Sequence, residues 1–176
     1  MKKKQISSLL SAIVALIIIF LGGNELVKNN SKADVITSGP FDESQVLVVE
    51  VVDGDTIKVQ DEQSKVVKTV RLIGINTPET KDPRKPVEYY GKEASAYAKD
   101  LLANRKVTLV KDVEDLDKYN RLLRYIYLGD GTFVNEQMVR QGYAQIMTIA
   151  PNVKYSELFL AAEKDARENK RGMWGG

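Results

Sequence analysis

The chain has 176 residues, of which 43% are hydrophobic and 28% charged, a composition typical of one globular domain with an appendage. It contains no cysteine and no histidine, which excludes disulfides, zinc sites built on Cys or His, thiolate nucleophiles and Ser-His-Asp catalysis. Any catalysis must therefore use carboxylates, Arg, Lys, Tyr, hydroxyl groups or a hard metal ion bound by oxygen.

The first 23 residues have the pattern of an export signal. Lys2 to Lys4 precede an apolar run, Ile6 to Gly23, which is long for a signal peptide and just long enough to span a bilayer. The positive end is expected to stay in the cytoplasm, so the rest of the chain would be extracellular. It would be either secreted after cleavage or anchored by residues 6–23, and the membrane would be a partner only through this segment.

Residues 24–45 are polar and rich in Asn and Ser, which predicts a linker before a single domain over 46–176. Without residues 1–33 the chain has 21 basic and 23 acidic side chains, and its net charge is −2. The slightly basic isoelectric point of the whole chain therefore comes from the export segment and is no evidence for nucleic-acid binding.

The pattern becomes strand-like at the start of the predicted domain. Alternating and β-branched residues predict strands over Val46–Val52, Thr56–Val59 and Val66–Ile75. A loop with two prolines follows, and helical spacing of Tyr and Ala then predicts a helix over Glu88–Asn104.

The second half of the domain contains two more predicted strands and two helices. The strands are Lys106–Lys111 and Leu122–Leu128; the helices are Val134–Gln141, ended by Gly142, and Lys154–Asn169. This order predicts an α+β fold, a small and mostly antiparallel barrel of about five strands with about three helices.

Acidic and amide side chains gather where two predicted strands end. Asp53 and Asp55 follow the first strand, and Asn76 and Glu79 follow the third. An oxygen-only cluster of this kind suits Ca²⁺ or Mg²⁺. Taken alone, however, each segment is better explained as an Asp-Gly hairpin turn or as a strand stop with a hydrogen-bonding Asn.

Five basic residues are candidates for contact with an anion. Arg71 lies in a strand otherwise suited to burial, so it needs either a structural carboxylate or a substrate phosphate as partner. Arg121 opens another strand, where a salt bridge at the rim is an equal alternative. Lys81, Arg84 and Lys85 crowd one loop, which suits phosphate contact, although an exposed charge run is usually only solvated.

Taken together, these segments resemble the staphylococcal nuclease (thermonuclease) family. The matching stretches, in order between Val46 and Trp174, are VVDGDTIKV, VRLIGINTPET, EYYGKEASAYAKDLL, DKYNRLLRYIYL and GTFVNEQMVRQGYA. The resemblance implies a five-stranded OB-type barrel and a Ca²⁺-dependent hydrolase that cleaves DNA and RNA by metal-assisted attack of water, giving 3′-phosphorylated products. It implies a single Ca²⁺ ion, with Mg²⁺ or Mn²⁺ as alternatives, and nothing in the pattern demands a dimer, so a monomer is expected.

The resemblance also assigns roles to individual residues. Asp55 matches the family's metal carboxylate, and Thr77 matches the residue whose backbone carbonyl binds the ion. Glu79 matches the acid that positions or deprotonates the attacking water. Arg71 and Arg121 match the two guanidinium groups that hold the phosphate.

The resemblance also includes two residues that would bind the substrate, and the sequence differs from the family pattern at two places. Lys118 and Tyr119 match residues that bind the terminal phosphate and sugar. Asn76 stands where the best-known member has a second metal carboxylate, which predicts weaker Ca²⁺ affinity. Met147 and Ile149 stand where that member has two tyrosines, which predicts altered base preference or weaker substrate binding.

Two other functions compete with a nuclease. One is a non-catalytic OB-fold module that binds nucleic acid, and the other is an extracellular structural domain stabilised by Ca²⁺. A pure binding module has no chemical need for Asp55, Arg71, Glu79 and Arg121 together. The acidic balance of residues 34–176 also disfavours a module that relies on neutralising phosphates.

Overall fold

The computed structural model describes residues 41–81, 83–84 and 86–176. The predicted export segment and most of the predicted linker lie outside the described residues, as does Lys85. None of the helices in the described part of the chain has the length and hydropathy that a bilayer span requires.

Five strands close a barrel in the order β1-β2-β3-β6-β5. They are β1 (Val46–Asp53), β2 (Thr56–Asp61), β3 (Val67–Leu72), β5 (Lys106–Val110) and β6 (Leu122–Leu128). The pairings are antiparallel except between β3 and β6, which run parallel with Arg71 in register with Leu123. The predicted five-stranded barrel is confirmed, and its interior is filled by inward-facing aliphatic side chains such as Val48, Ile57 and Val70.

The strand predicted over Val66–Ile75 is divided in two. Gly74 has a φ of 79°, and a Cβ there would lie 2.4 Å from the Phe159 ring, so only glycine fits this bend. The chain leaves the barrel as β4 (Gly74–Asn76) and pairs antiparallel with β7 (Gln145–Met147). Strand β7 was not predicted because it has three residues and no buried face of its own.

Three helices are described, as predicted: α1 (Gly91–Leu102), α2 (Val134–Arg140) and α3 (Ser156–Glu168). Helix α1 begins three residues later than expected, because Tyr90 adopts a left-handed φ of 65°. Gly142 has the predicted left-handed conformation after α2, with a φ of 74°.

A buried asparagine fixes the bend between β3 and β4. Asn135 Nδ2 donates to the Ile73 carbonyl at 2.9 Å, and its Oδ1 accepts from the Ile126 amide at 2.9 Å. The side chain thereby joins α2 to β6 and to the bend, and it satisfies backbone groups there. This contact fixes the bend from which β4 begins, and Asn76 is the last residue of that strand.

Residues 41–45, here called the pre-barrel segment, contact the barrel before β1 begins. The Leu109 amide donates to the Glu43 carbonyl at 2.8 Å, and Thr108 Oγ1 donates to the Ser44 carbonyl at 2.8 Å. Lys68 Nζ lies 4.7 Å from the centroid of the Phe41 ring. The last residues of the predicted linker are therefore attached to β5 and β3.

Candidate functional site

A cleft of about 800 Å³ lies where β1 turns into β2, beside β4, β7 and the loop before β6. Its lining includes six acidic and four basic side chains: Asp53, Asp55, Glu79, Glu88, Glu114 and Asp117 against Arg71, Lys81, Lys118 and Arg121. This lining brings together nearly all the residues that the sequence predicted as a site. Because carboxylates outnumber basic groups, an anionic ligand would be repelled unless a further cation were bound.

Asp55 joins three parts of the cleft. It is 8% exposed, and its Oδ2 accepts from the Thr77 amide at 2.9 Å and pairs with Arg71 Nη2 at 3.1 Å. Its Oδ1 accepts from Thr56 Oγ1 at 3.0 Å. The carboxylate therefore fixes both the segment after β4 and the guanidinium of β3.

Asp53, two residues earlier, holds the next part of the same segment. Its Oδ1 accepts from the Gly54 amide and from Thr80 Oγ1, both at 2.9 Å. Burial raises the pKa of Asp53, while these hydrogen bonds oppose that rise. The sequence analysis included Asp53 in the acidic cluster without assigning it a role. In the structure it binds Thr80, the residue that follows Glu79.

Arg71 has the structural carboxylate that burial demands, and it also lines the cleft. Besides Asp55, its Nη1 donates to the Leu72 carbonyl at 2.7 Å and its Nη2 to Asn76 Oδ1 at 3.2 Å. Burial lowers the pKa of Arg71, and the charge of Asp55 opposes that change.

Thr77 packs against Gly54 so closely that no side chain fits at that glycine. A Cβ on Gly54 would lie 2.7 to 2.9 Å from the side-chain atoms of Thr77. The Thr77 hydroxyl is buried and has no hydrogen-bond partner within the described residues. A buried oxygen of this kind is a feature that an ion or a bound water would satisfy.

The donors in this corner fit a hard cation. No group of three or more acidic side chains arranged for a metal ion exists in the part of the chain that the structure describes. The oxygen atoms present are instead a mixed set: the Asp55 carboxylate, the Asn76 amide oxygen and the Thr77 carbonyl and hydroxyl. Of these, the Thr77 carbonyl accepts from Asn76 Nδ2 at 3.3 Å, and only the Thr77 hydroxyl lacks a partner among the described residues. All are oxygen atoms, which suits Ca²⁺, Mg²⁺ or Mn²⁺, and their low total charge predicts weak binding.

Glu79 lies half-buried at the edge of the cleft. Its Oε1 accepts from the Lys81 amide at 2.6 Å, and its own amide donates to Glu88 Oε2 at 3.0 Å. The Glu88 amide donates in return to the Glu79 carbonyl at 3.0 Å. The backbone that carries this carboxylate is thus fixed on both sides.

Arg121 is held by Asp117, an acid that the sequence interpretation did not select. Asp117 Oδ2 accepts from Arg121 Nε at 2.6 Å, and its Oδ1 accepts from the amides of Tyr119 and Arg121, both at 2.9 Å. Burial raises the pKa of Asp117, but these hydrogen bonds outweigh burial and hold it below its usual value. The sequence carries no periodic signal for this pair, because the contact is made within a turn.

The remaining predicted residues are divided between the cleft and its surroundings. Lys81, Lys118 and Tyr119 line the cleft, and Lys118 Nζ lies 5.0 Å from the centroid of the Tyr119 ring. Arg84 is exposed and is not among the described residues that line the cleft. Met147 and Ile149 are 44% and 60% exposed and form an aliphatic part of its rim.

The sequence is similar to those of several known nucleases. A family model described as staphylococcal nuclease homologue matches residues 69–176. The thermonuclease of Staphylococcus hyicus is 40% identical over 145 residues, covering 78% of this chain and 84% of that protein. The thermonuclease of Staphylococcus intermedius is 42% identical over 147 residues, covering 77% and 83%. Endonuclease YncB of Bacillus subtilis (strain 168) is 32% identical over 197 aligned positions, covering 98% and 92%.

Proposed function

Since the chain belongs to the staphylococcal nuclease homologue family and is a nuclease, we propose that it cleaves phosphodiester bonds of both DNA and RNA. The reaction would use one Ca²⁺ ion and would leave 3′-phosphorylated products. The observation that carries this proposal is the presence of Asp55, Arg71, Glu79 and Arg121 in one cleft. Such a reaction needs a carboxylate that accepts a proton from water, and it needs donors such as guanidinium groups that bind the phosphate.

The ion would be held by the Asp55 carboxylate, the Asn76 amide oxygen and the Thr77 carbonyl. When bound, it would supply the positive charge that the excess of carboxylates in the cleft requires before a phosphate can enter. Mg²⁺ and Mn²⁺ are alternatives because every donor is oxygen.

In the proposed reaction, Glu79 positions a water molecule and accepts its proton while the water oxygen bonds to phosphorus. The bond between phosphorus and the 5′ oxygen breaks, and that oxygen leaves and takes a proton from solvent. No covalent bond to the protein forms. With no histidine in the chain, a carboxylate is the base available for this step.

Arg71 and Arg121 would donate to the phosphate oxygens on which negative charge develops. Each guanidinium is already fixed by a carboxylate, Arg71 by Asp55 at 3.1 Å and Arg121 by Asp117 at 2.6 Å. Donors held in place before the reaction begins lose little energy in reorganisation, and planar guanidinium groups match phosphate geometry.

Substrate binding is proposed to extend beyond the reacting phosphate. Lys118 and Tyr119 would bind a terminal phosphate and sugar, and Lys81, which also lines the cleft, would contact the backbone. Arg84 and Lys85, which follow Lys81 closely in the sequence, would add further positive charge for phosphate contact. The side chains of Met147 and Ile149 offer bases no aromatic surface to stack on, so altered base preference or weaker substrate binding is expected.

We further propose that the protein acts outside the cell as a monomer. The basis is the export pattern of residues 1–23, with its charged start and apolar run. The domain would be either released or held at the membrane by residues 6–23 through the linker.

The proposed function is tested with single-stranded DNA and RNA and the chain from residue 34 onward. We expect cleavage with millimolar Ca²⁺, none with a chelator, and product 3′ ends that a polymerase extends only after phosphatase treatment. A folded protein that binds DNA but leaves it intact under every ion would instead support the non-catalytic binding module. Metal binding without DNA binding or cleavage would support the structural domain.

Replacing Asn76 with Asp is expected to lower the Ca²⁺ concentration for half-maximal activity, by about tenfold, because the site gains a charged ligand. The measurement is a Ca²⁺ titration of cleavage rate. Gln145→Glu is the matched control, since Gln145 pairs with Asn76 across β4 and β7 and would add charge without adding a ligand. An unchanged midpoint in Asn76→Asp, or an equal shift in the control, would remove Asn76 from the metal site.

A further inference from the structure

Arg124 on β6 is a buried arginine outside the candidate site. Its side chain is 2% exposed, although the proposed reaction does not use it. All five N–H groups of the guanidinium have acceptors: Glu43 Oε2 at 2.6 Å, Glu43 Oε1 at 2.6 Å, Asp115 Oδ1 at 2.7 Å, the Leu123 carbonyl at 2.7 Å and the Asp115 carbonyl at 3.2 Å. Because every donor of the guanidinium is used, the hydrogen bonds favour one arrangement of Arg124 and its partners. They can therefore hold in place the two chain segments that they connect.

One of these segments is the loop that carries Arg121. The Leu123 amide donates to the Asp115 carbonyl at 2.9 Å, and the Asp117 amide donates to the Arg121 carbonyl at 3.0 Å. Residues 115–123, here called the Asp117 loop, are thus closed at their base by Asp115 and Leu123. Arg124 binds both sides of that base.

The other segment is the pre-barrel segment. Glu43 accepts two parallel hydrogen bonds from Arg124, and its own carbonyl accepts from Leu109 on β5. The carboxylate of Glu43 is therefore anchored by its backbone as well as by its charge. Its two oxygens accept from Nε and Nη2 of Arg124 and so fix the plane of the guanidinium.

We propose that Glu43 and Arg124 are positioning residues for Arg121, acting through Asp115 and the Asp117 loop. This inference rests on the proposed function, since it assigns Arg121 to the substrate phosphate. The pre-barrel segment is then part of the catalytic unit, not only a tether between the export segment and the barrel.

The physical reason is the cost of an incomplete buried network. Glu43→Gln leaves one donor of the buried guanidinium with a neutral acceptor and the other facing an amide NH₂ group, and the guanidinium can then turn toward Asp115. Asp115 and Leu123, at the base of the Asp117 loop, can then adopt more than one arrangement. Arg121 would therefore be aligned with the phosphate for a smaller fraction of the time. Small misplacements of such groups lower catalytic rates strongly.

The test compares Glu43→Gln with Glu62→Gln in the full chain. Glu62 forms an exposed ion pair with Lys106 at 2.7 Å and is remote from the Asp117 loop in sequence, so it controls for the loss of one ion pair. In Glu43→Gln we expect faster hydrogen exchange at the amides of Tyr119 and Arg121, with exchange in α3 unchanged, and kcat/KM lower by roughly tenfold. The control should change neither quantity.

A double-mutant cycle separates positioning from general weakening of the fold. Glu43→Gln should lower kcat/KM far less in an Arg121→Lys background than in the native chain, because both changes act on the same contact. In a Lys81→Ala background its full effect should remain. Equal effects in all backgrounds, or unchanged exchange in the loop, would overturn the proposal.

A second variant covers the case in which Glu43→Gln fails to fold. Asp115→Asn removes the partly exposed partner of Arg124 and is expected to speed exchange at the same two amides. The exchange measurement needs neither substrate nor metal. Its result therefore stands even if the proposed nuclease reaction is wrong, and an inactive native chain would overturn the proposed function alone.

Discussion

Replacing Glu79 with Gln is expected to lower kcat by a factor of about 10² to 10⁴ while the fold stays intact. Gln has nearly the same shape, and its amide oxygen can still accept from the Lys81 amide. The backbone bonds between Glu79 and Glu88 do not depend on the carboxylate. What is lost is the group that accepts a proton from water.

The measurement is kcat on single-stranded DNA at saturating Ca²⁺, together with thermal unfolding of both proteins. Glu93→Gln, on the exposed face of the first turn of α1, is the control for removing one carboxylate. Near-normal turnover of Glu79→Gln would show that Glu79 is not the base. If Glu79→Gln also unfolded at a clearly lower temperature than the native protein, the loss of activity would point to a structural role instead.

The second large effect is expected at Asp55. Asp55→Ala removes the partner of a buried guanidinium and the acceptor of the Thr77 amide, so the free energy of unfolding should fall by about 3–5 kcal/mol. Activity should be abolished at any Ca²⁺ concentration, because the charged ligand is lost as well. Urea unfolding and the cleavage assay measure the two effects separately.

Asp55→Asn distinguishes the two roles of this carboxylate. An amide oxygen can still accept from Thr77, so we expect a smaller loss of stability than in Asp55→Ala. The charge is absent in both variants, so activity should be lost in both. Asp55→Asn with a native Ca²⁺ response would exclude Asp55 as a metal ligand.

The barrel could be predicted from the sequence because its strands carry regular β-branched patterns and end at clear turns. The division of the third strand could not, because it depends on Phe159, which occupies the space beside Gly74 from a helix 85 positions later. Strand β7 exists only because β4 lies beside it. Such elements are set by tertiary contacts and leave little local pattern.

In the candidate site, too, residues in local sequence motifs could be predicted, whereas contacts between distant parts of the chain could not. Asp55, Asn76, Thr77 and Arg71 lie in short motifs at the ends of strands, and the structure brings them together in the cleft. Their roles in metal and phosphate binding remain predictions until the variants are measured. The network of Glu43, Arg124 and Asp115 could not be read from the sequence, since it joins residues 81 positions apart and one of them lay in the predicted linker.

The parallel seam between β3 and β6 has a consequence for when activity can arise. Arg71 lies on one side of this seam and Arg121 directly precedes the other, so neither strand alone holds both guanidinium groups. Closing a loop of this length is entropically costly and tends to occur late in folding. A chain crossing a membrane in an unfolded state carries both arginines but no paired site. Under the export proposed above, the nuclease would thus become active only after the barrel had closed, on the outer side of the membrane.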